Sequence, residues 1–523
     1  MSRTASDIGA GLTPARPARP IRSGERVHVV GVAGAGASAA ALLAAAAGAE
    51  VSGCDPGGPS PYTAALEASG VPLEWRHDRR HLAHWRPERL AVTKALTAVA
   101  PDHPELVAAQ AAAIALEPWQ QLVADVAATT GQRLVAIAGT HGKSTTATWL
   151  VHVLALAGRD PTAFVGALLQ PAIAGTIGRG RPATARWGRG ADFVVEADEY
   201  AGNFDPFHPA VATLVSVDWD HPDVFADQEA VVAAFAGWLE AAGGADGSPG
   251  PVLVANLGNA GVRAVIEHAW PHVQRVVGFG LVGGDGVDEE PAIAATIESV
   301  SPAGTRVAIR GLAPRPTRVE LRVAGRHNAV NALAVAATAA VLGLTGDEIG
   351  AGLEAFTGAS RRLELKGEPG GVAVLDDYGH HPTAIAATLA AARQRYPGRR
   401  LWAVYEPLTY HRTAAMLGHF ADVLSEADRV VIADIWAGRD PDTSVTSAGA
   451  LADEVNRRRH GLAEATGSVE ETAGRLSAEV RAGDVVVVMG GGRSYRIAEL
   501  LVAALAEGAG TTARGRRAPT NRP

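Results

Sequence analysis

An apolar run, Leu134-Val135-Ala136-Ile137, breaks into Ala138-Gly139-Thr140-His141-Gly142-Lys143-Ser144-Thr145-Thr146, and the helical pattern Thr145 to Leu156 follows at once. Strand, glycine loop and helix in that order leave few folds open and read as a phosphate cradle in an α/β sheet. Glycines let successive backbone N–H groups turn onto an anion, and the helix start adds its positive dipole end. Lys143 supplies a mobile cation, and Ser144 a hydroxyl able to ligate magnesium. From Gly139 to Lys143 the loop is one residue shorter than the standard pattern.

Two later strands bring acids towards this loop. Asp192-Phe193-Val194-Val195 delivers Glu196-Ala197-Asp198-Glu199-Tyr200, and the apolar stretch Ala212 to Val217 delivers Asp218-Trp219-Asp220-His221-Pro222-Asp223. In a parallel sheet the strand C-termini share one edge, so the glycine loop and both clusters are expected to meet there. Magnesium prefers hard oxygen ligands and keeps several waters, so Ser144 and Glu196 suffice for a first ion, with His221 and neighbouring carboxylates for a second.

The chain before this unit opens on Val27-His28-Val29-Val30, then Gly31-Val32-Ala33-Gly34-Ala35-Gly36, an Ala/Leu helix to about Ala47, and a second strand ending at Cys54-Asp55. This is a Rossmann-like start, with Gly31, Gly34, Gly36 and Asp55 expected around a nucleotide diphosphate. Ala33 occupies the place of the middle fingerprint glycine, so the loop alone does not select NAD. After Ser360-Arg361-Arg362, strands at Val372–Leu375, Leu401–Tyr405, Val430–Ala433 and Val485–Val488 alternate with helices, predicting another parallel sheet.

Composition bounds what such a chain does. At 523 residues it has room for about three domains. With 20% charged residues and a net charge of -8, no basic stripe marks a nucleic-acid binder, and the Ala-rich stretches are too interrupted to span a membrane. One cysteine, Cys54, excludes an internal disulfide framework and fits a reducing cytoplasm. The expected division is a disordered tail over 1–23, a Rossmann-like substrate domain over 24–130, a central P-loop ATPase-type domain over 131–358, a Rossmann-like C-terminal domain over 359–507, and a second tail over 508–523.

Five segments carry a resemblance: Ala138 to Thr146, Glu196 to Tyr200, Asp220 to Asp223, Gly325-Arg326-His327-Asn328-Ala329-Val330-Asn331, and Asp376-Asp377-Tyr378-Gly379-His380-His381-Pro382-Thr383. Together they resemble the Mur ligases, over nearly all of the chain outside its ends. The resemblance is greatest to the branch that joins L-alanine to UDP-N-acetylmuramate. It implies ATP and Mg2+ as cofactors, small-molecule substrates, and a monomer or weak homodimer. It further implies that Gly139, Thr140, His141, Gly142, Lys143, Ser144, Thr145, Asn328, Asn331, Arg362, Asp376 and Tyr378 bind ATP. Ser144, Glu196 and His221 would hold metal, and His380, His381 and Arg412 would receive the amino acid. Catalytic work would fall to Lys143, Glu196, His221 and Arg412.

Four positions depart from the family pattern: Leu408 for a histidine, Ser216 for an asparagine, Lys94 for a small hydroxyl residue, and Glu117-Pro118 where an arginine is usual. They bear on the sugar-nucleotide pocket and on which amino acid is added. A ligase that attaches a recycled murein tripeptide to the same sugar nucleotide shares the Glu-Ala-Asp-Glu-Tyr wording. A dinucleotide-dependent oxidoreductase would use Gly31 to Gly36 and Asp55 but leaves the Lys143 loop unexplained, and a Mur-like nucleotide-binding partner without turnover would accommodate the departures.

Overall fold

A computed structural model describes residues 8–100, 102–243, 249–283, 291–438, 440 and 442–515. Among these residues the strands form three sheets, and Cα proximity divides the chain into two compact units. The first two sheets lie in one unit; the third, from Arg361 onward, lies in the other together with the short stretches 300–304 and 324–326.

The first sheet is built from β1 (Arg26–Val30), β2 (Glu50–Cys54), β3 (Leu73–Glu74), β4 (Arg89–Val92) and β5 (Ala115–Pro118), in the order β3-β2-β1-β4-β5. All of its pairs are parallel. The strand order reverses at β1, and ligands bind at such a switch point, where the loops after β1 and β4 diverge. The second sheet contains β6 (Arg133–Ala138), β7 (Thr162–Leu169), β8 (Ala183–Arg186), β9 (Asp192–Ala197), β10 (Val211–Leu214), β11 (Val252–Asn256), β12 (Arg275–Leu281), β13 (Ile293–Ser301), β14 (Gly304–Arg310) and β15 (Thr317–Leu321). Its order is β15-β14-β13-β12-β11-β10-β6-β9-β7-β8, so the glycine-loop strand β6 lies between the strands that carry the two acidic clusters. Register fixes the shared edge: Ala138 pairs with Ala197 on one side and Leu214 on the other.

β10 stops at Leu214, short of the expected end at Val217. Beyond it the backbone leaves the ladder to brace the glycine loop: Ser216 O accepts from Thr140 N at 2.9 Å, and Val217 N donates to Asn259 Oδ1 at 3.0 Å. The two sheets of this unit also share one hydrophobic core. The Ala-rich helix Ala35–Ala46 packs beside β7 and β8, Ser38 Oγ lies 3.2 Å from Thr184 Oγ1, and the Trp119 and Phe164 rings are 5.3 Å apart. Small side chains on that helix make the approach possible; a Cβ on Gly36 would come within 2.4 Å of the Trp119 ring.

The expectation of a tail over residues 1–23 is corrected for its described part. Arg16 forms ion pairs of 2.8 Å with both Glu117 and Asp125, Arg19 N donates to Asp125 Oδ1, and Ile21 is buried. The cause is charge: Asp125 and Glu117 are buried carboxylates, and Arg16 shares them with buried Arg89. Residues 1–7 lie outside the described residues. At the other end the helix Ser494–Gly515 continues into the expected second tail, and 516–523 lie outside the described residues.

In the second unit, β16 (Glu364–Gly367), β17 (Ala373–Asp377), β18 (Leu401–Glu406), β19 (Arg429–Ala433), β20 (Ala463–Gly467) and β21 (Val485–Gly490) form a sheet ordered β16-β17-β21-β18-β19-β20. It is parallel except for β16. Val-rich β21 is buried along its whole length, as a central strand covered on both faces requires. Among the described residues no helix is long and apolar enough to cross a membrane.

Candidate functional site

The glycine loop after β6 is shaped by contacts that only glycine permits. Gly139 has φ +135, and a Cβ there would lie 2.6 Å from Ser216 O and 2.8 Å from Ser216 N. Gly142, at φ +83, is the N-cap of the helix Lys143–Leu156, and a Cβ there would meet Asn331 Oδ1 at 2.6 Å. That cap contributes no side-chain hydrogen bond, and no acid stands in the first helical turn, so the helix start keeps its donors and positive end for an external anion.

Around the loop, the side chains divide into braces and ligand-facing groups. Thr140 Oγ1 donates to Asp218 O at 3.0 Å and accepts from Asp218 N at 2.9 Å. His141 N donates to Ser216 Oγ at 2.8 Å, so this hydroxyl clamps the loop. Asn331 is buried beneath Gly142, and its amide donates to Asn328 Oδ1 at 3.1 Å. Thr145 is buried in the first helical turn.

Two groups of oxygens face the helix start. Ser144 Oγ donates to Glu196 Oε1 at 2.7 Å, while Glu196 Oε2 accepts from Gly166 N at 2.6 Å. Adjacent ligands on an octahedral magnesium lie about 2.9 Å apart, so this hydroxyl and carboxylate suit one edge of its shell. Lys143 Nζ lies 2.8 Å from Glu199 Oε2 and 3.4 Å from Asp198 Oδ1. Asp198, Glu199 and His221 present ligand atoms within 4.8 Å of one another. Glu199 Oε1 is buried without a hydrogen-bond partner among the described residues, which suits a position awaiting a cation. The residues therefore fit a phosphate chain with hard divalent ions.

Electrostatics agree with that chemistry. Burial works against the Lys143 ammonium, but Glu199 and Asp198 outweigh it and hold its pKa above the usual lysine value. Burial pushes Glu199 up to about 7 against the pull of Lys143. Asp198 is held below the usual carboxylate range because Lys143 and His221 overcome its desolvation. His221 sits at φ +56, the left-handed region that costs a non-glycine residue, with its ring 4.8 Å from that of Tyr200. Its backbone N–H donates to Asp220 Oδ1 at 2.6 Å, which holds that turn.

In the first sheet the turn after β1 is also pinned. Gly31, at φ +82, and Val32 donate to Cys54 O, and Asp55 accepts from Ala33 N at 3.1 Å and Gly57 N at 2.8 Å. Asp55 is thus spent on the loop's own backbone, and Gly36 on the approach of Trp119; Gly34 caps the helix Ala35–Ala46 with room beside it. Lys94, following β4, donates to Ala201 O at 2.7 Å and Gly202 O at 2.8 Å, a link to the segment after Glu199 that no local pattern announced. Glu117 pairs with Arg16 and with buried Arg89.

Within the second unit, Asp376 is buried and accepts from Arg361 Nε at 3.2 Å; burial lifts it to about 6 despite that arginine. The guanidinium groups of Arg361 and Arg362 lie 5.0 and 5.2 Å from the Tyr378 ring centroid. His380 Nδ1 is 2.9 Å from Tyr378 O, and His381 caps the helix Pro382–Arg395, its Nδ1 accepting from Thr383 N. Arg412 is buried in the short helix Tyr410–Ala415. Leu408 pairs in an isolated bridge with Trp436.

The sequence matches the Mur ligase family catalytic domain over residues 26–130, the Mur ligase middle domain over 137–339, and the Mur ligase glutamate ligase domain over 361–492. A protein of Frankia casuarinae named UDP-N-acetylmuramate–L-alanine ligase is 35% identical over 524 residues, covering 92% of this chain and 98% of the relative. One of the same name from Kineococcus radiotolerans is 36% identical, covering 92% and 96%. Among solved structures, the UDP-N-acetylmuramate-alanine ligase of Thermotoga maritima shares the fold with a TM-score of 0.74 at 23% identity, covering 92% of this chain and 99% of that one. The murein peptide ligase of Psychrobacter arcticus does so at 0.69 and 24% identity, with the same coverage. With relatives of this similarity aligned along nearly its whole length, the chain belongs to the Mur ligase family.

Proposed function

We propose that this chain joins the amine of L-alanine to the carboxylate of UDP-N-acetylmuramate in the cytoplasm, using ATP and Mg2+ and releasing ADP and phosphate. What carries the reading is the end-to-end similarity to relatives bearing that name, in a chain whose Lys143, Ser144, Glu196, Asp198, Glu199 and His221 converge at one sheet edge. A carboxylate is a poor electrophile, so ATP with its magnesium supplies a phosphoryl group that turns it into an acyl phosphate, which the amine then attacks.

The chain's own residues hold and orient. The amides and open helix start after Gly142 bind the phosphates, and Lys143 moves its charge from Glu199 onto them. Ser144 and Glu196 would hold one magnesium, and Glu199, Asp198 and His221 would hold a second, neutralising charge on the phosphates. Asn331 keeps Gly142 in its strained turn, and Asn328 faces the base. From the resemblance, Arg362, Asp376 and Tyr378 are assigned to nucleotide binding and His380, His381 and buried Arg412 to the amino acid, the arginine as a fork for its carboxylate. The turn Gly31 to Gly36, pinned by Asp55, lies against the UDP pyrophosphate.

The test is phosphate release from ATP with UDP-N-acetylmuramate, comparing L-alanine, glycine, L-serine and the murein tripeptide, with Lys143→Ala as the blank. Release that requires both the sugar nucleotide and L-alanine is expected. Release with the tripeptide alone would replace this reading by recycling, and no release with any acceptor would remove it.

A further inference from the structure

Outside the phosphate site, six residues from the strands and helices around the first sheet converge. His28 stands on β1, Cys54 at the end of β2, His77 after β3, His81 in the helix Arg80–Trp85, and His103 and Glu105 at the start of the helix Pro104–Ala111. All but His77 are buried, and His28, Cys54 and Glu105 fully so. His28 Nε2 lies 3.1 Å from Glu105 Oε2 and 3.4 Å from Cys54 Sγ. Cys54 Sγ lies 3.2 Å from Glu105 Oε1 and 3.2 Å from His77 Nδ1, and His81 Nδ1 is 3.2 Å from the same Glu105 oxygen.

A hydrogen-bonded cluster without an ion accounts poorly for this packing. A thiol carries one proton, yet His28, His77 and both Glu105 oxygens all approach Sγ within 3.4 Å. His81 Nε2 and both nitrogens of His103 are buried with no hydrogen-bond partner among the described residues.

We propose that His28 Nε2, Cys54 Sγ, His81 Nδ1 and a Glu105 carboxylate oxygen form a zinc site, distinct from the magnesium positions beside Lys143. These ligand atoms lie within 4.8 Å of one another. Tetrahedral zinc, with sulfur at about 2.3 Å and nitrogen at about 2.0–2.1 Å, sets ligand-to-ligand edges of about 3.3–3.6 Å. Four contacts of 3.1–3.4 Å come close to those edges, with His28 Nε2 beside Oε2 of Glu105, and Cys54 Sγ and His81 Nδ1 beside its Oε1. Thiolate and carboxylate neutralise the ion, and a mixed N/S/O set deep in a protein selects zinc over magnesium. The outer shell is present as well: His28 Nδ1 lies 2.8 Å from Ser52 Oγ, and donation to that hydroxyl leaves Nε2 free to ligate. His77 and His103, their rings 4.2 Å apart, close the site on its outer side. The ion would tie two strands to two helices, and because Cys54 O receives the N–H groups of Gly31 and Val32, it would also stiffen the turn after β1.

The experiment uses the full chain, untagged, loaded with Zn2+ and separately with Co2+. About one zinc per chain retained through gel filtration is expected, and the cobalt form should show a thiolate-to-cobalt charge-transfer band. Cys54 is the only cysteine, so that band has one possible source. Cys54→Ser should abolish it, His81→Gln should lower zinc affinity at least 10-fold, and His221→Ala should leave both unchanged. A wild-type chain that binds neither metal tightly, or binds cobalt without the band, overturns the proposal. That arm decides even where a variant fails to fold. Zinc content unaltered in both Cys54→Ser and His81→Gln overturns it equally.

Discussion

Lys143 Nζ lies 2.8 Å from Glu199 Oε2, so the cation of the phosphate loop is already neutralised by an acid from the end of the neighbouring strand. Lys143→Ala should therefore lower turnover by at least about 100-fold while leaving the fold intact. Burial lifts Glu199 to about 7, and its folded pKa above the unfolded value stabilises below the unfolded pKa, a contribution lost as pH rises through the folded one. Without Lys143 that loss grows at high pH. Thermal melts should show the variant close to wild type at pH 6 and clearly below it at pH 8; equal deficits at both would contradict the pairing.

Gly139→Ala should fold poorly or lose nucleotide binding. Its Cβ would meet both the nitrogen and the oxygen of Ser216, backbone atoms that cannot swing aside, at a φ of +135. The strain is on the order of 1–3 kcal/mol before the clash is counted. Calorimetric titration with ATP and magnesium reads the result, and wild-type affinity would refute the steric argument.

Arg16 caps an ion network around Asp125, Glu117 and buried Arg89. Arg16→Ala, or removal of residues 1–22, should lower the melting temperature; loss of one partner from a buried charge network costs about 3 kcal/mol. Arg16→Lys should rescue only part of it, because a lysine cannot fork between two carboxylates. An unchanged melt for the truncated chain would return this segment to the status of a tail.

Glu406, buried on β18 and accepting from Ser494 N at 2.6 Å, is lifted to about 7 by desolvation. A raised folded pKa stabilises below the unfolded value of about 4.5 and loses that contribution as pH rises through about 7. The total loss across that range amounts to about 3 kcal/mol. Glu406→Gln should flatten the fall in stability between pH 5 and pH 8 in denaturant titrations; an unaltered slope would mean that another group carries it.

Lys94→Ser should cost about 1–3 kcal/mol, since the carbonyls of Ala201 and Gly202 lose their shared donor. Chemical denaturation measures it, and a neutral outcome would show that water replaces the ammonium.

Short-range chemistry was legible in the sequence: the glycine loop followed by a helix, the acids at two strand ends, and the alternation that demands parallel sheets. These signals survive because each depends on neighbours within about ten residues, and apolar periodicity and turn chemistry act at that range. Tertiary structure decided the rest. Only the strand order set Glu199 against Lys143, turned Ser216 and Asn331 into braces for the loop, and drew Arg16 onto Asp125 more than a hundred residues away. His28, Cys54, His81 and Glu105 are separated by 24 to 27 residues at each step, and no periodicity joins them. They meet because β1, β2 and the helices that follow pack around one interior, where the cost of burying a polar group without a partner makes every neighbour count.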